Sequence, residues 1–155
     1  MPNYQMIQLG TDIVYIPRIQ ATLDRFGDRF LQRVYTPTEQ HDCEYAHARG
    51  DRKQNLLPDK IISSPLRLSI NYLAGRWAAK EAVAKALGTG FAGVRYTDIE
   101  IRRHISGAPS VYLYGAAADI ASAWGECHWQ LSLSHDRDYC VATALLVCLP
   151  STTPQ

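Results

Sequence analysis

Three ionisable residues have types and spacing that could act on phosphate: Asp12 in MIQLGTDIVYI, and Glu81 and Lys85 in GRWAAKEAVAKALGTG. Glu81 and Lys85 are one helical turn apart and share a face. On spacing alone the pair reads most simply as a surface ion pair, which steadies a helix by about 0.3–0.5 kcal/mol. A chemical role needs a second carboxylate from elsewhere. Asp12 can supply it, because aspartate is disfavoured inside an apolar strand and an ionised carboxylate there needs a partner. The alternative for Asp12 is a cap on the backbone turn before Pro17. If Asp12 and Glu81 converge, they make a hard oxygen site suited to Mg²⁺, which takes one or two carboxylates, waters and substrate phosphates. Lys85 then faces the same phosphates as a point charge.

A strand and a helix must position these groups. In the strand, Ile7, Leu9, Thr11 and Ile13 alternate with Gln8, Gly10, Asp12 and Val14. The helix is predicted to begin near Leu68 to Tyr72 and to end at Gly88. On a helical wheel Gly75, Ala79, Ala82, Val83 and Ala86 form a core side. Glu81 and Lys85 fall opposite, beside Ala74 and Ala78, and Arg76 and Lys80 fall on a third side.

Elsewhere the pattern mixes helices and strands without strict alternation, which predicts an α+β fold with an antiparallel sheet. Pro17 suits the first turn of a helix whose apolar side is Ile19, Leu23 and Phe26, with Phe26 expected in the core. Arg18, Arg25 and Arg29 follow helical spacing on another side, and Gly27 can interrupt the helix before Arg29. Thr36, Pro37 and Glu39 form a capping-box helix start. From about Gln40 to Arg67 the chain reads as polar and irregular. TDIEIRRHI and SVYLYG read as strands, GAAADIASAWG as a short helix, and WQLSLSH and YCVATALLVCL as strands joined by the turn HDRD.

With 155 residues, 46% of them hydrophobic and 20% charged, the chain suits one domain over 1–150 and a short tail at 151–155. A net charge of +1 argues against a bulk nucleic-acid binder. The chain has neither a signal-peptide pattern nor an apolar run of membrane-spanning length, which predicts a cytoplasmic protein without a membrane partner. Cys43, Cys127, Cys140 and Cys148 lack CxxC spacing and are expected as reduced, buried thiols. His41, Cys43 and His47 are too few for zinc, since no second cluster completes the set.

The ordered set GTDIVYIPRI, TPTE, LAGRWAAKEAVAKALGTG, TDIEI, GAPSV and SLSHDRDYCVA resembles the holo-acyl-carrier-protein synthases, the small bacterial class of 4′-phosphopantetheinyl transferases. The likeness runs from about Ile7 to Val147. It implies the transferase-like fold, an antiparallel sheet packed with a long central helix. It also implies transfer of 4′-phosphopantetheine from coenzyme A to a serine of apo acyl carrier protein, with Mg²⁺ and release of adenosine bisphosphate. By this resemblance Asp12 and Glu81 are the metal ligands, and Glu81 and Lys85 are catalytic. Arg76, Lys85, Gly88, Thr89, Gly90, Pro109 and His135 meet coenzyme A, with Lys80 a weaker candidate. Arg18, Arg25 and Arg29 dock the acidic carrier, with an apolar anchor there as the alternative role for Phe26. The family also implies a homotrimer with sites between subunits. Relative to the family the chain is longer near 46–64, where an inserted loop or helical piece is expected, and Arg67 is a further candidate for coenzyme A.

Overall fold

A computed structural model describes residues 6–50 and 69–149, the side chains of 44–50 excepted. The expected insertion lies outside the described residues beyond Gly50, as do Arg67 and the tail 151–155. The chain runs β1 (Met6–Tyr15), α1 (Ile16–Phe26), α2 (Asp28–Val34), α3 (Pro37–Gly50), α4 (Ile70–Ala86), β2 (Ile99–Arg103), β3 (Pro109–Leu113), α5 (Gly115–Ser122), β4 (Glu126–Asp136) and β5 (Tyr139–Leu149). The strands form two antiparallel sheets, one ordered β1-β5-β4 and one pairing β2 with β3. This is the α+β arrangement that the sequence predicts, with α4 laid across the larger sheet.

Small residues set how closely helix and sheet approach. Ala142 and Ala144 of β5 and Ala78, Ala79, Ala82 and Ala86 of α4 are fully buried. At Gly10 the β1 backbone touches the helix: a Cβ there would lie 1.9 Å from the Ala82 carbonyl oxygen and 2.7 Å from the Ala86 nitrogen. Of the two alternating faces of β1, the one carrying Gly10, Asp12 and Val14 is the inner one. The other face leaves Ile7, Leu9 and Ile13 60–64% exposed.

Helix α4 is buried nearly all round, so the three-sided wheel is corrected. Ala74, Ala78, Arg76 and Lys80 are buried with the expected core side. The reason is that α4 is enclosed by the sheet, β2, α1 and α3 together. Lys80 is wholly buried. It donates to the carbonyls of Tyr96 (2.9 Å) and Ile99 (2.5 Å) and pairs with Glu39 at 2.7 Å. It is therefore a structural lysine and not a phosphate ligand. Burial lowers its pKa, against the opposing pull of the Glu39 carboxylate.

The capping box at Thr36 and Glu39 forms as read: Thr36 N–H donates to Glu39 Oε2 (2.8 Å) and Glu39 N–H to Thr36 Oγ1 (3.3 Å). Glu39 Oε1 also accepts from Ile101 N–H at 2.9 Å, joining α3 to β2. The segment expected to be irregular after Gln40 instead continues α3 to Gly50. Gly27, at φ 51°, does divide α1 from α2. Phe26 is corrected from core to surface: it is 48% exposed, with the Arg25 guanidinium 5.0 Å from its ring centre.

Cys127 and Cys148 face each other across β4 and β5 and form a disulfide, which corrects the expectation of four reduced thiols. Strand register brings them together, and no local spacing reveals it. Cys43 and Cys140 are buried thiols as expected.

Gly10→Ala is expected to destabilise the protein by about 3 kcal/mol, the upper range for overpacking, because the clash is with backbone. Urea unfolding of the purified variant measures it.

Candidate active site

The crossing of β1 over α4 sets the first cluster. Asp12 follows Gly10 on the inner face of β1, and its Oδ1 accepts from the Lys85 ammonium at 2.8 Å. Lys85 also donates to the Thr11 carbonyl at 2.9 Å. One turn earlier on α4, Glu81 Oε1 accepts from the Tyr96 hydroxyl at 2.6 Å. Among the described residues, Asp12 Oδ2 and Glu81 Oε2 take no hydrogen bond. Burial raises the Tyr96 phenol well above its ordinary value, and the bond to Glu81 and the charges of Glu81 and Asp12 add to this. Arg18 pulls the other way. One phenol thus senses Asp12, Glu81 and Arg18 together.

The donor set suits a hard divalent cation. Each carboxylate has one oxygen tied to a protein donor and the other without one. Among the described residues no group of three His, Cys, Asp or Glu side chains gathers as an all-protein metal cage. Mg²⁺ does not need one, since one or two carboxylates suffice when waters and phosphates complete its shell.

A second cluster lies toward the start of α4, about 13 Å from Lys85 at 1.5 Å per residue. A cleft of about 450 Å³ is lined by Tyr72, Gly75, Arg76, Arg103, Pro109 and His135, among others. It unites Arg76, Pro109 and His135, which are far apart in sequence. The Arg76 guanidinium stacks 4.2 Å from the centre of the Tyr72 ring, and its buried Nε has no partner among the described residues. Burial pushes the Tyr72 phenol up to about 12, with the Arg76 charge opposing. His135 Nε2 lies 3.3 Å from the Asn71 carbonyl. Gly75 leaves room for that ring: a Cβ would lie 3.2 Å from His135 Nε2. A cationic, partly aromatic cleft of this kind can hold a phosphorylated nucleotide.

Gly88, Thr89 and Gly90 leave the other end of α4 and do not line this cleft. Gly88 N–H bonds the Lys85 carbonyl (3.0 Å) and Gly90 N–H the Ala84 carbonyl (3.1 Å), so these two amides close the helix. Arg18 and Arg25 on α1 and Arg29 on α2 are exposed, and among the described residues none of them forms an ion pair.

Sequence reasoning missed Tyr96 and the aromatic wall of the cleft. Tyr96 opens a 3-10 turn, Tyr96–Asp98, just before β2. Asp98 anchors that turn by accepting from Arg95 N–H (3.0 Å), Nε (3.0 Å) and Nη2 (2.7 Å). Burial alone would raise the Asp98 pKa, but the Arg95 bonds and charge hold it below the ordinary value.

The sequence model of the 4′-phosphopantetheinyl transferase superfamily matches residues 8–144. A protein of Gloeobacter violaceus named holo-[acyl-carrier-protein] synthase is 48% identical over 140 residues, 90% of this chain and 92% of that protein. The crystal structure of the Neisseria meningitidis holo-[acyl-carrier-protein] synthase superposes with a TM-score of 0.70 at 31% identity, covering 91% of this chain and 98% of that one. The Helicobacter pylori holo-[acyl-carrier-protein] synthase in complex with coenzyme A gives 0.65 at 28% identity, covering 89% and 98%.

An aspartate whose folded pKa is depressed adds stability above its unfolded value, about 3.9, and that stability is lost as pH falls through the folded value. Asp98→Asn is therefore expected to lower the urea midpoint at pH 7 and to lose less than the parent between pH 5 and pH 3. Urea titrations at the three pH values check both.

Proposed function

Because the chain belongs to the 4′-phosphopantetheinyl transferase superfamily, and to the holo-[acyl-carrier-protein] synthases within it, we propose that it transfers 4′-phosphopantetheine from coenzyme A to a serine of apo acyl carrier protein in the presence of Mg²⁺. The observation that carries this reading is Asp12 held by Lys85, with Glu81 one turn before it on α4 and, among the described residues, one oxygen of each carboxylate without a donor.

The reaction forms a bond from the serine oxygen to the phosphorus that carries the pantetheine arm. It breaks the bond from that phosphorus to the bridging oxygen, which leaves on adenosine 3′,5′-bisphosphate. Asp12 and Glu81 would hold Mg²⁺, which neutralises charge on the diphosphate and orients it when bound. The serine proton passes to Glu81 or to a water held beside it. Lys85 is about half exposed and can turn from Asp12 to the phosphates, where its charge offsets that building on the leaving oxygen. Arg76, Pro109 and His135 receive the nucleotide end in the cleft. Gly88, Thr89 and Gly90 would border the phosphates from the bend after α4, without the Gly88 and Gly90 amides, which close the helix.

The exposed outer face of the larger sheet supports a homotrimer. Ile7, Leu9, Ile13, Tyr15 and Tyr139 stand exposed there, an apolar patch of the kind that subunit interfaces cover. In a trimer the nucleotide cleft of one subunit and the carboxylate cluster of its neighbour complete one site. Arg18, Arg25 and Arg29, with Phe26 beside them, offer the acidic carrier a basic surface with an apolar anchor. Among the described residues no helix is long and apolar enough to cross a membrane. We assign the enzyme to the cytoplasm, as one domain over 1–150.

Incubation with coenzyme A, Mg²⁺ and apo carrier is expected to add the phosphopantetheine mass to the carrier. No gain on any carrier supplied would reject the proposal. Asp12→Ala and Glu81→Ala are each expected to lower transfer at least about 100-fold, the scale of losing a principal electrostatic group. A variant that keeps full activity would refute its ligand assignment. Arg18→Glu should raise the carrier KM at least about tenfold and leave the coenzyme A KM within about twofold, since a rim charge steers the macromolecular partner. Steady-state kinetics with each substrate varied decides this.

A further inference from the structure

The phenol of Tyr96 belongs to no part of the machinery assigned above, yet it holds a residue that does. We propose that Tyr96 is a positioning residue that fixes the rotation of the Glu81 carboxylate. This rests on the proposed function, in which Glu81 works at a cation and a reacting phosphate.

The bond itself is short. Tyr96 O–H donates to Glu81 Oε1 at 2.6 Å, within the range of charge-assisted O–H···O⁻ bonds. The donor is rigid. The Tyr96 ring stacks on Phe91, with centroids 3.7 Å apart and planes 16° apart, and leans on Trp77 at 4.9 Å. Trp77 in turn meets Phe30, and Phe30 meets Tyr35, each at 5.7 Å. The backbone around Tyr96 is also held, because its carbonyl accepts from buried Lys80 and Asp98 anchors its turn. A phenol fixed from both sides leaves Glu81 little rotational freedom.

The consequence is directional. With one lone pair of Oε1 taken by the phenol, Oε2 is the Glu81 oxygen that no donor among the described residues engages. Lys85 does the same for Asp12 by taking Oδ1. The two carboxylates thus each present one oxygen, by two different donors. Lys85 is a flexible side chain that the reaction uses. Tyr96 is a fixed neutral donor that it does not. Groups that orient a metal-binding side chain typically change metal affinity or activity by about 10–100-fold when lost.

Tyr96→Phe keeps the ring and removes only the hydroxyl. We compare it with the parent in urea unfolding, in transfer kinetics, and in Mn²⁺ binding followed by electron paramagnetic resonance with coenzyme A present. The expected result is a kcat about tenfold lower and Mn²⁺ affinity about tenfold weaker. The KM values for coenzyme A and carrier should stay within about twofold, and the urea midpoint should be nearly unchanged. Phe91→Leu loosens the stack and spares the hydroxyl, and should weaken Mn²⁺ binding by clearly less than Tyr96→Phe does. Parental kcat and Mn²⁺ affinity in Tyr96→Phe would overturn the assignment and leave the proposed function standing. A Tyr96→Phe protein that does not fold, or equal losses in both variants, would overturn it too, because the residue would then be structural. If the parent itself transfers nothing, the proposed function falls, and the Mn²⁺ titration alone still decides for Tyr96.

Discussion

The close passage of β1 over α4 is the constraint on which the rest of the molecule depends. Backbone meets backbone at Gly10, with no room for a methyl group. That contact fixes the height of the strand above the helix, and so fixes which helix residues the next inward side chain can reach. Asp12 reaches Lys85 for this reason. The small residues around the crossing follow from it as well. Ala82 and Ala86 from the helix, and Ala142 and Ala144 from β5, line an approach that larger side chains would hold open. The interior near the site is built for proximity more than for bulk.

Around that crossing the protein treats its charges in two ways. Lys80 and Glu39 are sealed inside, bonded to each other and to backbone groups. Glu81 and Lys85, one residue and one turn further along the same helix, are left partly open. A single α4 therefore carries one lysine sealed into the fold and one, held by Asp12 and Thr11, that is half exposed. Their difference comes from rotation about the helix axis: Lys80 points toward α3 and β2, and Lys85 toward β1.

Much of this was legible in the sequence, and the failures have physical causes. The ends of α4, the capping box at Thr36 and the break at Gly27 all rest on local chemistry, and local chemistry is what a sequence displays. Asp12 stood out because it is a charge in an apolar strand. Arg76, Pro109 and His135 came only through resemblance to a family, since nothing local to each points to a common cleft. Tyr96 went unseen because a tyrosine ahead of a strand has no pattern to mark it. Its meaning lies in a contact with a residue fifteen positions earlier. The pairing of Cys127 with Cys148 required the β4–β5 register. Phe26 misled because helical spacing assigns a side but not what covers it. The helical wheel of α4 placed Glu81 and Lys85 rightly on the open side but misled elsewhere, because the sheet and three other elements also cover Arg76 and Lys80.

The sealed pair has a bearing on how the chain assembles. Lys80 arrives on α4, Glu39 on α3, and the carbonyls that receive the ammonium stand at and just before β2. Any intermediate that lays down two of these pieces without the third strands an ionised group in a dry interior, at a cost of several kcal/mol. Such half-built forms are scarce at equilibrium. The buried pair thus couples the two helices and the strand energetically, across a sequence gap that includes all of residues 51–68.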